Sequence, residues 1–60
     1  LQQDPSVQYH LGKAYAALGR TEEALGQMRK AVVIAGPLGN AVFLEKAQAE
    51  IDTLEAATNQ

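Results

Sequence analysis

The sequence predicts an all-α fold, in which an antiparallel helix pair is followed by a third helix. Apolar residues recur at intervals of three and four in the first half of the chain, the spacing that places side chains on one helix face. A short Gly-Arg-Thr segment at residues 19–21 interrupts this pattern, as expected between two antiparallel helices. Gly12 lies within the first apolar segment, where glycine costs about 1 kcal/mol relative to alanine. We therefore expect a close backbone approach at Gly12 from the second helix, at Ala24 and Ala31.

The first helix is predicted over residues 5–18. Asp4 and Pro5 form its start, because aspartate accepts hydrogen bonds from the first free amides and proline is favoured at the first helical position. The apolar residues that follow at helical spacing are Val7, Leu11, Ala14, Tyr15 and Leu18. Gly19 should end the helix, since glycine adopts the left-handed conformation of a helix C-cap without strain.

The second helix is predicted over residues 22–35. Thr21 is its expected N-cap, and two glutamates follow in the first turn, where the helix dipole favours anions. The predicted inner face consists of Ala24, Leu25, Met28, Ala31 and Val32, extended by Ile34 and Ala35. We expect Gly36 and Pro37 to end the helix, because proline has no backbone N–H and glycine is a common C-cap.

The third helix is predicted over residues 41–57, with Asn40 as its N-cap. Its apolar stripe is narrower and consists of Phe43, Leu44, Ala47, Ile51 and Leu54. The charged residues assigned to its outer face are Glu45, Lys46, Glu50, Asp52 and Glu55. Such a polar outer face is typical of a helix that caps a stack of helical repeats. We expect residues 1–3 and 58–60 to be poorly ordered, as chain ends commonly are.

The pattern of the first two helices resembles the tetratricopeptide repeat (TPR) family, whose signature includes a Leu-Gly pair and a nearby Tyr. The scaffold residues that carry the resemblance are Leu11, Gly12, Tyr15, Gly19, Ala24, Met28 and Ala31. Met28 stands where the family usually has an aromatic residue. The resemblance covers residues 5–37, and the Leu-Gly motif does not recur in the third helix. It therefore implies a fragment of a right-handed superhelix, the C-terminal repeat and capping helix of a larger bacterial protein.

Composition argues against several classes of function. A chain of 60 residues accommodates one small domain. Its net charge of −2 argues against a nucleic-acid partner, which would require a basic face. We expect no membrane insertion, because no apolar run approaches the ~20 residues of a membrane span. The lack of cysteine is compatible with cytoplasm or periplasm and leaves the localisation open.

We expect the protein not to be an enzyme, and we expect no cofactor or metal site. His10 is the only histidine, and no carboxylate stands beside it at metal-ligand spacing. The neighbouring carboxylates at residues 22–23 and 50–52 lie at a helix start and on a polar face, which builds no cleft for paired acid–base work. The glycines of residues 36–39 lack the Lys and Ser/Thr of a phosphate-binding loop.

The family resemblance implies that the first helix lines a concave groove that binds an extended peptide or a helix of a partner protein. Leu11 and Tyr15 are expected to define the inner stripe of this helix, which faces the second helix. The residues expected on the groove face, off that stripe, are Ser6, Tyr9, Lys13, Ala16 and Ala17. Tyr9 and Lys13 are the expected anchors, because amphipathic rings and cations commonly carry peptide contacts. The alternative is that Tyr9 only shields a neighbouring repeat and that Lys13 is solvated.

Two classes of function remain open. In the first, the chain is a non-catalytic scaffold that binds another protein or peptide. In the second, it is a structural module that forms a homodimer, either by pairing the third helix across a two-fold axis or by exchanging it between copies. The residues expected to pair are Phe43, Leu44, Ile51 and Leu54. An uncovered apolar edge at Val7, Ala14 and Leu18 of the first helix would also favour association. The sequence identifies neither the partner, nor the number of repeats, nor the oligomeric state.

Overall fold

The computed structural model of the protein describes residues 4–58 and contains three α-helices joined by short turns. The helices are α1 (Pro5–Ala17), α2 (Thr21–Leu38) and α3 (Ala41–Thr58). No strand occurs between residues 4 and 58, so the predicted all-α class is confirmed for this part of the chain. The expectation of poor order at residues 1–3 and 59–60 lies outside the described residues. For Thr58 the expectation is wrong, because α3 extends one residue beyond its predicted end and Thr58 is its last residue.

The two ends of α1 follow from its sequence. The Asp4 carboxylate oxygen Oδ1 accepts hydrogen bonds from the Ser6 hydroxyl at 2.8 Å and from the Ser6 backbone N–H at 2.9 Å. These two bonds stabilise the charged carboxylate and lower the pKa of Asp4 below its ordinary value. At the other end, Gly19 has a φ of 77°, the left-handed conformation predicted for it. The helix ends at Ala17, one residue before the predicted end.

α2 continues through Pro37 to Leu38, so the prediction that Gly36 and Pro37 end this helix is wrong. Gly39, with a φ of 69°, takes the left-handed cap position instead. Proline cannot donate to the carbonyl of Val33, but that residue is 72% exposed, so its turn of the helix faces water. Gly36 has no Cβ to clash with the proline ring, which relieves part of the usual restriction on the residue before proline.

α2 also begins one residue earlier than predicted, so Thr21 is its first helical residue and not its N-cap. The cap position is occupied by Arg20, which makes no side-chain hydrogen bond to the helix backbone. Its guanidinium Nε bonds instead to Glu23 Oε1 at 2.7 Å. The Arg20 carbonyl accepts the hydrogen bond from the Ala24 N–H at 2.9 Å, which places Arg20 and not Thr21 at the cap position. The predicted N-cap of α3 is confirmed, because Asn40 Oδ1 accepts from the Phe43 N–H at 3.3 Å.

The hydrophobic core lies along α2. Its buried cluster consists of Ala24, Leu25, Met28, Ala31, Ala47 and Leu54. A Cβ placed on Gly12 would lie 3.3 Å from the carbonyl oxygen of Ala24, so the backbones of α1 and α2 approach closely there. The close approach predicted between Gly12 and Ala24 is therefore confirmed. Ala31 is fully buried, but Met28, not Ala31, is the side chain nearest to Gly12.

α1 presents a different face to the core than its apolar pattern suggests. Leu11, expected on the inner face, is 41% exposed. Val7, Ala14 and Leu18 are exposed as expected for an uncovered apolar edge, Val7 at 58% and Leu18 at 71%. Helical geometry explains this difference, because Gly12 faces α2 and Leu11 lies about 100° around the helix axis from it. Tyr15 packs partly buried against the core instead. The assignment of Leu11 to the inner face is therefore wrong.

Candidate functional site

The first candidate binding surface lies where α1 and α3 run side by side. The rings of Tyr9 and Phe43 are 5.7 Å apart in an edge-to-face arrangement with an interplanar angle of 65°. The Lys46 ammonium lies 5.9 Å from the ring centroid of Tyr9 and 5.5 Å from that of Phe43. The Lys13 ammonium lies 3.1 Å from Glu50 Oε2. We call these five residues, Tyr9, Lys13, Phe43, Lys46 and Glu50, the aromatic–lysine face.

Helical spacing brings these side chains to one side of the molecule. Tyr9 and Lys13 are four residues apart on α1, and the three residues of α3 follow one another at intervals of three and four. The pairs Tyr9–Phe43 and Lys13–Glu50 occur in the same order along both helices. α1 and α3 therefore run in the same direction, and α2 returns the chain between them.

The two lysines of this face differ in their electrostatic surroundings. The Glu50 carboxylate accepts a hydrogen bond from the Lys13 ammonium and attracts its charge, which raises the pKa of Lys13 above its ordinary value. Both side chains are partly exposed, so solvent weakens this ion pair. Lys46 forms no ion pair within residues 4–58 and lies over the two rings, whose faces attract a cation. The Lys46 ammonium is therefore available to pair with a carboxylate of another molecule.

The five residues predicted for the groove do not lie on one common surface in the structure. Tyr9 and Lys13 belong to the aromatic–lysine face. Ser6 is half-buried, and its hydroxyl is used at the start of α1. Ala16 packs partly buried against the core, and Ala17 is exposed at the end of α1.

The α3 half of the face is not predicted by the sequence. The pattern places Phe43 in the inner stripe and Lys46 and Glu50 on the outer, solvated face. In the structure Glu50 faces α1, and Glu55, also assigned to the outer face, has its Oε2 3.0 Å from Arg29 Nη2 of α2. Phe43, Lys46 and Glu50 are separated by three and four residues, so they lie on one side of α3, next to its apolar stripe. This spacing is the sequence signal that could have identified them.

A second candidate surface is the solvent-facing stripe of α1. It consists of Val7, Leu11 and Ala14 of α1 and of Leu18, the C-cap residue directly after α1, all exposed, and we call it the α1 stripe. The outer face of α3 is more polar than the α1 stripe, because Glu45, Gln48 and Asp52 are exposed there. The apolar residues of α3 proposed for pairing across a two-fold axis are packed within the chain, with Leu54 buried and Ile51 against the core. The α1 stripe is thus the more accessible apolar surface.

The other surface features of the described residues lie outside these two candidate surfaces. A shallow groove of about 480 Å³, the α2 groove, is lined by Gln8 of α1 and by Gly26, Arg29, Lys30, Val33 and Ile34 of α2. His10 is exposed, and its ring lies 5.6 Å from that of Tyr9. Within residues 4–58, no group of three or more histidine, cysteine or acidic side chains is placed to hold a metal ion. None of the described helices has the length and apolar character needed to cross a membrane.

Comparisons with protein-family models, with curated proteins and with solved structures give no significant match for this chain. The resemblance to tetratricopeptide repeats therefore stands on the residues of the chain alone.

Proposed function

We propose that this chain is a non-catalytic protein-interaction module of the TPR type, a scaffold that binds a peptide or helix of a partner protein on the aromatic–lysine face. The observation that supports this proposal is the position of Lys46, whose ammonium lies over the rings of Tyr9 and Phe43 and has no ion-pair partner within residues 4–58. Both rings are half-buried, so each presents a rigid apolar surface to a ligand.

The chemistry of this face indicates what it would bind. Aromatic side chains and cations are the groups that most often dominate the energy of peptide and protein contacts. An apolar side chain of the partner would lie against Tyr9 and Phe43, and a neighbouring carboxylate would pair with Lys46. We therefore expect the bound segment to combine an apolar residue with an acidic one.

The TPR assignment itself draws support from the packing of the helices. Gly12 permits the close contact with α2 that the family resemblance requires, and Gly19 turns the chain between the two helices. The exposed polar residues Glu45, Gln48 and Asp52 suit a helix that ends a stack of repeats. On this interpretation, α1 and α2 form the repeat and α3 is its cap.

A selection from a phage-displayed random peptide library, with the 60-residue protein as bait, tests the proposal. Binding of an enriched peptide is then measured by fluorescence anisotropy for the wild type, Lys46→Gln and the matched control Lys30→Gln. Both lysines are exposed, but Lys30 lines the α2 groove and not the aromatic–lysine face. We expect Lys46→Gln to weaken binding by about tenfold and Lys30→Gln to leave it unchanged. The absence of any enriched peptide, or equal effects of the two substitutions, would contradict the proposal.

A further inference from the structure

We propose that the α1 stripe is a self-complementary docking surface, through which two copies of this chain associate in an antiparallel, two-fold arrangement. The proposal goes beyond peptide binding, because the α1 stripe and the aromatic–lysine face have no residue in common. It rests on the spacing, the exposure and the charge surroundings of the stripe.

The spacing of the α1 stripe is that of a coiled-coil seam. Its residues are separated by steps of four, three and four, which correspond to heptad positions d, a, d and a. Val7, Leu11 and Leu18 are 58%, 41% and 71% exposed, so the described chain leaves a large part of each of them uncovered. An apolar stripe of this kind on a helix is normally buried against a partner surface.

The stripe is also complementary to itself. The order of its steps is the same in both directions, so a second α1 running antiparallel aligns with all four positions. Val7 then meets Leu18 of the second copy, and Leu11 meets Ala14. In the two central layers a large side chain faces a small one, which allows close packing without overlap. A two-fold axis between the helices makes both halves of the contact identical.

The residues that flank the α1 stripe would not repel those of a second copy of the chain. The positions that flank it are occupied by Gln8, Tyr15, His10 and Ala17. None of these side chains carries a formal charge at pH 7 when histidine is neutral, so no like charges would oppose each other across the seam.

Head-to-tail association of copies is disfavoured by the surface of α3. For one copy to stack on the next in the same direction, the α1 stripe would have to pack against the outer face of α3. Exposed Glu45 and Asp52 lie on that face, and burying unpaired carboxylates against apolar side chains is costly. The α1 stripe of a second copy is therefore the better match for this surface.

The size of the stripe sets the expected strength of the dimer. α1 has 13 residues. A helix of this length is about 20 Å long, and two of them bury less than the roughly 1,200–2,000 Å² of a standard stable interface. We therefore expect a weak dimer, with a dissociation constant on the order of 100 µM.

Sedimentation equilibrium of the wild-type chain tests the association over ~10 µM to ~1 mM. The average mass should rise from the monomer value of 6.4 kDa toward twice that value. Leu11→Glu should remain monomeric, because it places a charge in the seam. The control Val42→Glu changes an exposed apolar residue of α3 in the same way and should dimerise like the wild type.

Disulfide trapping tests the antiparallel register, since the natural chain contains no cysteine. Leu11→Cys and Ala14→Cys are mixed in equal amounts and oxidised, and the products are distinguished by mass spectrometry. The proposed arrangement brings position 11 next to position 14 of the second copy, so mixed disulfides should exceed the half expected from random pairing.

Three results would overturn the proposal. A monomer mass over the whole concentration range would mean that another segment or another protein covers the stripe. Dimerisation of Leu11→Glu equal to that of the wild type would assign the contact to a different face. An excess of symmetrical 14–14 disulfides would indicate a parallel contact.

Discussion

The Met28 side chain of α2 fills the space above Gly12 of α1. A Cβ placed on Gly12 would lie 2.8 Å from Met28 Cε and 3.2 Å from its Cγ. Met28 is fully buried, so its side chain is surrounded by closely packed atoms and has little room to move aside. This contact sets the distance between α1 and α2, and thereby the position of Tyr9 and Lys13 beside α3.

Replacing Gly12 with leucine should therefore lower the free energy of unfolding by about 1–3 kcal/mol, because the added side chain overpacks the contact. The matched control is Gly26→Leu, since nothing lies within 4 Å of a Cβ built on Gly26. That substitution should raise the free energy of unfolding by up to about 1 kcal/mol through helix propensity. Urea titrations followed by circular dichroism measure both changes. Equal changes at the two glycines would contradict the close approach.

Features encoded by neighbouring residues can be predicted from the sequence. Asp4, Gly19 and Asn40 are recognised as helix boundaries because their capping interactions involve the next few residues only. The close approach at Gly12 is predictable for a different reason. Glycine destabilises a helix interior, so its presence there indicates that another segment packs closely against it.

Apart from the close approach at Gly12, several features that depend on tertiary packing are missed by the sequence. Pro37 continues α2 because its turn faces water, and local pattern alone does not reveal that exposure. Leu11 and Gly12 are adjacent, and only the position of α2 decides which of them faces inward. The contribution of Lys46 and Glu50 to the candidate site likewise depends on the rotation of α3 about its axis.

Pro37 should destabilise the helix that contains it. Pro37→Ala restores the backbone N–H and should raise the free energy of unfolding by about 1–2 kcal/mol, the gain in helix propensity being partly offset by a more flexible unfolded chain. Pro5→Ala is the control, because Pro5 occupies the first helical position, where a missing N–H leaves no helical partner unsatisfied. This second substitution should not raise stability. Thermal melts that show no gain for Pro37→Ala would contradict the helical assignment at Pro37.

The Asp4 cap should make stability depend on pH in the acid range. The folded-state pKa of Asp4 lies below the ordinary value of 3.8, so the cap contributes stability above that pH and loses it as the pH falls through the lowered pKa. Asp4→Asn retains a capping oxygen but does not titrate. Between pH ~7 and pH ~2, the melting temperature of the wild type should therefore fall further than that of Asp4→Asn. Parallel curves for the two proteins would show that the cap does not titrate as described.

α3 should be required for the other two helices to fold. Deletion of residues 40–60 exposes the core face of α2 and leaves helices of 13 and 18 residues, which are marginal in water on their own. We expect a largely unfolded peptide by circular dichroism, and unchanged helicity per residue would refute this role of α3.

A point substitution tests the same role of α3 without removing it. Leu54→Ala should lower the free energy of unfolding by about 2–4 kcal/mol, because Leu54 is buried. Val42→Ala, at an exposed position of α3, should change it by less than about 0.5 kcal/mol.

The most direct test of the central claim, that the aromatic–lysine face binds a partner peptide, is an NMR titration. The ¹⁵N-labelled protein is titrated with a peptide enriched by selection against it, and the chemical-shift changes are mapped onto the three helices. We predict that the largest changes occur at Tyr9, Lys13, Phe43 and Lys46, with none at Lys30 in the α2 groove. Largest changes on the α1 stripe or in the α2 groove would contradict the claim.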